Sequence, residues 1–129
     1  MTHPLPQLAF LAGGLAGLSA CVGTAAEGPV YLGSEPAALG EDLYGFAVSM
    51  RGARDKADLE AYVDCVVAGY ATEKNDGFAR RVRTKVKEEG GVWSADAVYS
   101  ITPTLPRGLM TIDAKAKVAD CAERGIPTV

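Results

Sequence analysis

Histidine is almost missing from this chain. Its single copy is His3, so everything after it lacks the imidazole of Ser–His and Cys–His nucleophilic pairs and the commonest side-chain metal ligand. An excess of base is missing too. The 13 Lys and Arg stand against 16 Asp and Glu, the wrong balance for a nucleic-acid partner. Neither a P-loop nor a G-x-G-x-x-G occurs, since Gly13, Gly14 and Gly17 have neither spacing. No acidic loop carries the alternating ligands of an EF-hand. The acidic pairs that do occur, Glu41-Asp42, Asp55/Asp58 and Glu88-Glu89, sit where turns and helix starts ordinarily want acids, so no catalytic residue, cofactor or metal ligand is assigned. Long apolar runs are absent as well. Leu8 to Ala20 is uncharged for thirteen residues, which as a helix at ~1.5 Å per residue reaches only about 20 Å of the ~30 Å bilayer core.

What is present begins with that short apolar run. No Lys, Arg, Asp or Glu precedes Glu27, and the run has the length of the apolar region of a secretory signal peptide. It ends in Leu18-Ser19-Ala20-Cys21, which resembles the lipobox of bacterial lipoprotein precursors. There a branched apolar residue and two small residues precede a Cys whose thiol receives a diacylglyceryl group. The N-terminal Lys or Arg usual in such precursors is replaced by the terminal amine and His3. The resemblance implies a signal peptide over 1–20, lipidation of Cys21, a flexible tether over 21–41 and one domain over 42–129. Cleavage after Ala26, behind Thr24-Ala25-Ala26, or a cytosolic chain with an apolar start are the competing readings. With Cys21 on lipid, Cys65 and Cys121 remain. An even remainder in an oxidising compartment points to a disulfide, with two buried free thiols as the alternative.

The rest of the chain reads by periodicity. Leu43–Met50 is aromatic and β-favouring, hence a strand. Asp55 caps a helix over about Lys56–Lys74, whose apolar side is Leu59, Tyr62, Val63, Val66, Val67 and Tyr70, and Asn75-Asp76-Gly77 ends it. Phe78–Val86 and Trp93–Ile101 alternate with period two around Gly90-Gly91, a hairpin signature. A third alternation, Met110, Ile112, Ala114, Ala116 and Val118, predicts a last strand, with a helix as the competing assignment for this Ala- and Lys-rich segment. The predicted fold is α+β in two layers, one helix on a four-stranded, mainly antiparallel sheet, in the order strand-helix-strand-strand-strand. This layout loosely resembles small lipid-anchored envelope proteins of Gram-negative bacteria.

One surface feature stands out. Arg81, Arg83, Lys85 and Lys87 recur at period two, and Lys115 and Lys117 on the predicted last strand would share their face. That face either binds an anionic glycolipid, phospholipid headgroups or an acidic envelope protein, or is a solvated exterior balanced by Asp96 and Asp113. The expectation is therefore a non-catalytic protein with a binding or structural role, held by lipid in the cell envelope. Val22 rather than Asp after the acylated Cys implies the outer membrane, facing the periplasm. A small periplasmic enzyme or enzyme inhibitor acting on envelope substrates is the alternative.

Overall fold

The computed structural model describes residues 28–129, so the signal segment and Cys21 lie outside the described residues. Strands β1 (Val30–Gly40), β2 (Leu43–Arg51), β3 (Phe78–Glu89), β4 (Val92–Thr102) and β5 (Thr111–Asp113) form one antiparallel sheet in the order β1-β2-β4-β3-β5. Helices α1 (Lys56–Glu73) and α2 (Ala114–Arg124) cover one face of it. The architecture is α+β in two layers, as predicted, with one strand and one helix more than the sequence suggested.

The additional strand is β1. Val30–Gly40 belongs to the segment read as a tether, and it is instead a full edge strand paired along β2. Its alternation is hidden because register shifts at Leu32 and Leu39 each insert an extra residue and reverse the phase. The additional helix is α2, which replaces the predicted last strand beyond Asp113. Asp113 accepts a hydrogen bond from the Ala116 amide at 3.1 Å and so caps a helix. Ala114 and Cys121 are its buried residues, a spacing of seven that suits two turns of helix. The period of two in this stretch was an accident of an Ala–Lys repeat, and both residue types favour helix.

The central hairpin forms as predicted. Gly90 and Gly91 have φ of 59° and 85°, the left-handed pair that matches strand twist in a two-residue turn. Ala95, Ala97, Tyr99 and Ile101 of β4 are buried toward the helices. On β3 a bulge at Val82 shifts the phase, so that Ala79 and Arg81 before it, and Thr84 and Val86 after it, share the helix-facing side. Thr84 Oγ1 is buried there without a hydrogen-bond partner.

Helix α1 starts where Asp55 accepts from the Ala57 amide at 2.9 Å. It ends where Asn75 takes the left-handed conformation, φ 63°, rather than Gly77. It is buried on more than the predicted stripe, since Leu59, Tyr62, Val63, Cys65, Val66, Val67, Ala68 and Ala71 are all inside. Leu59, Val63, Val66 and Val67 join Phe46, Val48 and Met50 of β2 and the inner residues of β4 in one core. On its far flank the chain end crosses so closely that a Cβ on Gly69 would lie 2.6 Å from Thr128 Cβ and 2.8 Å from Thr128 O. Glycine is the residue that admits this crossing.

Cys65 and Cys121 form a disulfide with Cα atoms 5.9 Å apart, and both are fully buried. The bridge therefore ties helix to helix, not helix to strand end. Closing a loop of this length is worth roughly 4 kcal/mol in the chain-entropy model. The double variant Cys65→Ala/Cys121→Ala should unfold at a markedly lower urea concentration than the oxidised protein, and non-reducing peptide mapping of the native protein should join the two Cys peptides. An unchanged urea midpoint would contradict the stabilising role. Thr84→Val should move stability the other way, raising it by about 1 kcal/mol, because the isosteric methyl needs no partner.

Candidate functional site

Several concavities mark the described surface, and three of them hold charged side chains flagged by the sequence. One is a cleft of about 440 Å³ where α1, α2, β3 and β5 meet, lined by Asp64, Arg81, Met110, Thr111, Ile112, Asp113, Ala116, Lys117 and Asp120. The Val82 bulge builds it by turning Arg81 away from the other cations and toward α1. The Tyr99 hydroxyl, opposite Arg81 in the β3–β4 register, donates to Asp64 Oδ1 at 2.7 Å. Arg81 Nε donates to the same hydroxyl at 3.3 Å, and its terminal nitrogen lies 3.5 Å from Asp64 Oδ1. Burial, reinforced by the Asp64 charge, pushes the Tyr99 phenol well above its usual range. Nearby, Lys117 and Arg124 share Asp120 at 3.6 and 3.4 Å. Each charged group here already has a partner inside the protein, so the cleft is a closed network rather than an array of free donors.

A second cleft, about 420 Å³, lies between the start of β1 and the start of α1. Arg54 binds Asp58 through its backbone amide at 2.8 Å and through Nε and a terminal nitrogen at 3.0 and 2.9 Å. Those hydrogen bonds hold the Asp58 carboxyl at about 2. Arg54 is largely exposed, so solvent screens this pair and it adds little to stability. The third concavity, about 650 Å³, is a trough on the open face of the sheet, with Ala47, Ser49 and Ser94 in its floor and Lys85, Lys87 and Asp96 along it.

The acidic pairs noted in the sequence do not converge. Glu41 and Asp42 form the β1–β2 turn, Asp55 caps α1, Asp58 holds Arg54, and Glu88 accepts from the Gly91 amide. Among the described residues no three His, Cys, Asp or Glu side chains gather as a metal site. No helix among them is long and apolar enough to cross a membrane.

The predicted basic face is divided. Arg83, Lys85 and Lys87 sit opposite Val98, Asp96 and Ser94 on the open face. Arg81 does not, because the bulge reverses it. Lys115 and Lys117 do not either, because they ride on α2. Sequence reasoning missed the Asp64–Arg81–Tyr99 cluster for the same reason: Arg81 reads as a regular member of a period-two ladder, and nothing in Arg81-Val82-Arg83 announces an inserted residue. Tyr31 and Tyr44 are staples. Tyr31 packs edge-on to Tyr62 at 4.7 Å, and Tyr44 lies 5.5 Å from Tyr70 with the Lys74 ammonium 5.2 Å from its ring.

A sequence profile for the YNQ4 C-terminal domain matches residues 31–125, a span that runs from the start of β1 to the end of α2 and takes in the whole sheet. The "Uncharacterized 26.9 kDa protein in nqo8 5'region" of Paracoccus denitrificans is 29% identical over 87 residues, covering 67% of this chain and 34% of the relative. The chain thus spans about a third of the length of that relative. No solved structure matches the chain.

The Tyr99 environment has a measurable consequence. A phenol raised by folding keeps stability that is fully present below the ordinary tyrosine value of about 10 and is lost as pH rises beyond it. In an ultraviolet pH titration Tyr99 should remain neutral well above the ordinary tyrosine value and ionise only on alkaline unfolding. Tyr99→Phe should shrink the late component, to which the buried Tyr62 also contributes, and cost about 1–2 kcal/mol through the lost hydrogen bond to Asp64. A titration curve unchanged by the substitution would count against the network.

Proposed function

The chain belongs to the YNQ4 C-terminal domain family, and from that premise we propose that it is an exported envelope protein, anchored by lipid on Cys21, that acts by binding or by structural presence rather than by catalysis. The observation that carries this reading is the Cys65–Cys121 disulfide, buried between the helices. Such bonds persist in oxidising compartments and are rare in the cytosol. The lipobox residues Leu18-Ser19-Ala20-Cys21 agree with that address independently. Acyl chains on Cys21, at ~0.8 kcal/mol per buried CH₂, would hold the protein on a membrane. Val22 favours the outer membrane, with the domain facing the periplasm.

The non-catalytic part of the proposal is supported by the closure of the polar groups. Asp64, Arg81 and Tyr99 bind one another, and Arg54 and Asp58 bind one another. The segment between Cys21 and the start of β1 is short. Eight residues at ~3.3–3.6 Å each reach at most about 30 Å, so an anchored domain would stay close to the bilayer, where an envelope protein or an anionic glycolipid is the natural partner.

Growth of producing bacteria with a clickable palmitate analogue tests the anchor. The wild-type protein should become labelled and migrate with membranes, and Cys21→Ala should do neither. Equal labelling of both, or of neither, would overturn the lipoprotein reading.

A further inference from the structure

The charges of this protein are segregated by face. Arg51 of β2 and Arg80, Arg83, Lys85 and Lys87 of β3 occupy outward register positions on the open side of the sheet. Among the described residues only Glu35, Glu89, Asp96 and Asp113 share that side, and the Asp113 carboxylate is engaged in capping α2. Removing these from the chain total leaves eight of the 13 bases against twelve of the 16 acids, so a cationic face sits on an otherwise acidic molecule. The pairing differs as sharply as the sign. Among the described residues every ion pair lies outside this face: Arg54–Asp58, Lys56–Glu60, Arg81–Asp64, Lys117–Asp120 and Arg124–Asp120. None of the five outward cations is paired.

Aliphatic side chains rim the same face. Val30 and Leu43 stand at outward positions, 48% and 38% exposed. Leu39, 54% exposed, lies over Gly45, where an added Cβ would come within 3.4 Å of it. Tyr31, Tyr44, Phe46, Trp93 and Tyr99 all turn to the helix side, which leaves Phe78 near β5 as the aromatic at an outward position. A face of this kind offers no stacking platform for nucleotide bases.

We propose that the open face of the sheet lies on an anionic lipid surface, with Arg51, Arg80, Arg83, Lys85 and Lys87 among the headgroups and the aliphatic rim at their boundary with the acyl chains. The inference rests on the membrane placement proposed above and gives it an orientation, helices away from the bilayer. Basic side chains each contribute measurably at such a surface, and the attraction fades within a Debye length as salt rises.

The test uses the full chain carrying Cys21→Ala, so that no acyl group contributes, and flotation with phosphatidylcholine vesicles with and without phosphatidylglycerol. Phosphatidylglycerol should increase binding, and salt should abolish the increase. Lys85→Gln/Lys87→Gln should lower that increase roughly 10-fold. Lys115→Gln/Lys117→Gln, an equal loss of charge on α2, should leave it intact. Equal effects of the two pairs would reduce the result to net charge and overturn the proposal, as would binding indifferent to phosphatidylglycerol. Capture of polyglutamate with no preference for anionic vesicles would reassign the face to an acidic protein and refute the lipid assignment. Failure of palmitate labelling at Cys21 would remove the anchor alone, because acylation plays no part in this measurement.

Discussion

The junction of Cys65 with Cys121 lies between two helices that share no strand connection over most of their length, and much on the helix side takes its position from it. α2 is only eleven residues long, too short to persist on its own propensity in water. Its buried residues are few, Ala114 and Cys121. Docking against α1 through the bridge supplies what its own apolar face lacks. Once α2 is fixed, its Asp120 and Lys117 close one wall of the polar cleft. The chain then turns at Gly125, φ 71°, and runs back along α1 past Gly69. The Tyr62 hydroxyl completes this side by donating to Val129 O at 2.9 Å while accepting from the Gly33 amide at 3.1 Å. One side chain of α1 thus holds both edge strand β1 and the chain end, and α1 is buried nearly all round because each neighbour claims a different flank.

A second constraint, the bulge at Val82, separates the two electrostatic regimes of the molecule. Without it, Arg81 would continue the row of Arg83, Lys85 and Lys87 on the open face, and Asp64 and Tyr99 would face the apolar Val82. With it, one cation is withdrawn from the open face to neutralise a half-buried carboxylate that a buried phenol already donates to. Removing one member of such a network leaves the others desolvated and unpaired, which costs more than the net value of the bonds.

Legibility in the sequence followed how local each determinant is. The Gly90-Gly91 hairpin, the Asp55 cap and the core side of β4 are set by neighbours within a few residues, and all were readable. The disulfide was readable as a cysteine count but not as a helix–helix link. β1 was not legible, because two inserted residues cancel a period that Tyr31, Ser34, Pro36 and Ala38 otherwise keep on the helix side. α2 reads as a strand ahead of the competing helix, because Ala114-Lys115-Ala116-Lys117 alternates as cleanly as any strand while Asp113 carries the capping signal that decides for the helix. The candidate sites suffered most, since a bulge moves a side chain from one face to the other without any change in composition.

The two edges of the sheet show the same economy of local irregularity. Among the described residues, no strand pairs with the outer edge of the eleven-residue β1, and β5 covers only Phe78–Arg80 of β3, leaving the rest of that strand open. Open edges invite pairing with other chains. On β1, Pro36 lacks an amide proton and the shifts at Leu32 and Leu39 bend the strand. On β3, the Val82 bulge and the Arg83, Lys85 and Lys87 row make a neighbouring strand of like charge unfavourable. The row can thus discourage pairing along the edge while its side chains point across the open face, because backbone edge and side-chain face are perpendicular in a sheet. A single run of alternating cations therefore serves two directions at once, and protecting the edge explains the presence of charge there but not the excess of cations over acids across the face. Glu or Asp at the outward positions of β2 would have balanced the lysines without weakening the edge, yet those positions hold Gly45, Ala47 and Ser49. The unbalanced sign is a property of the face itself.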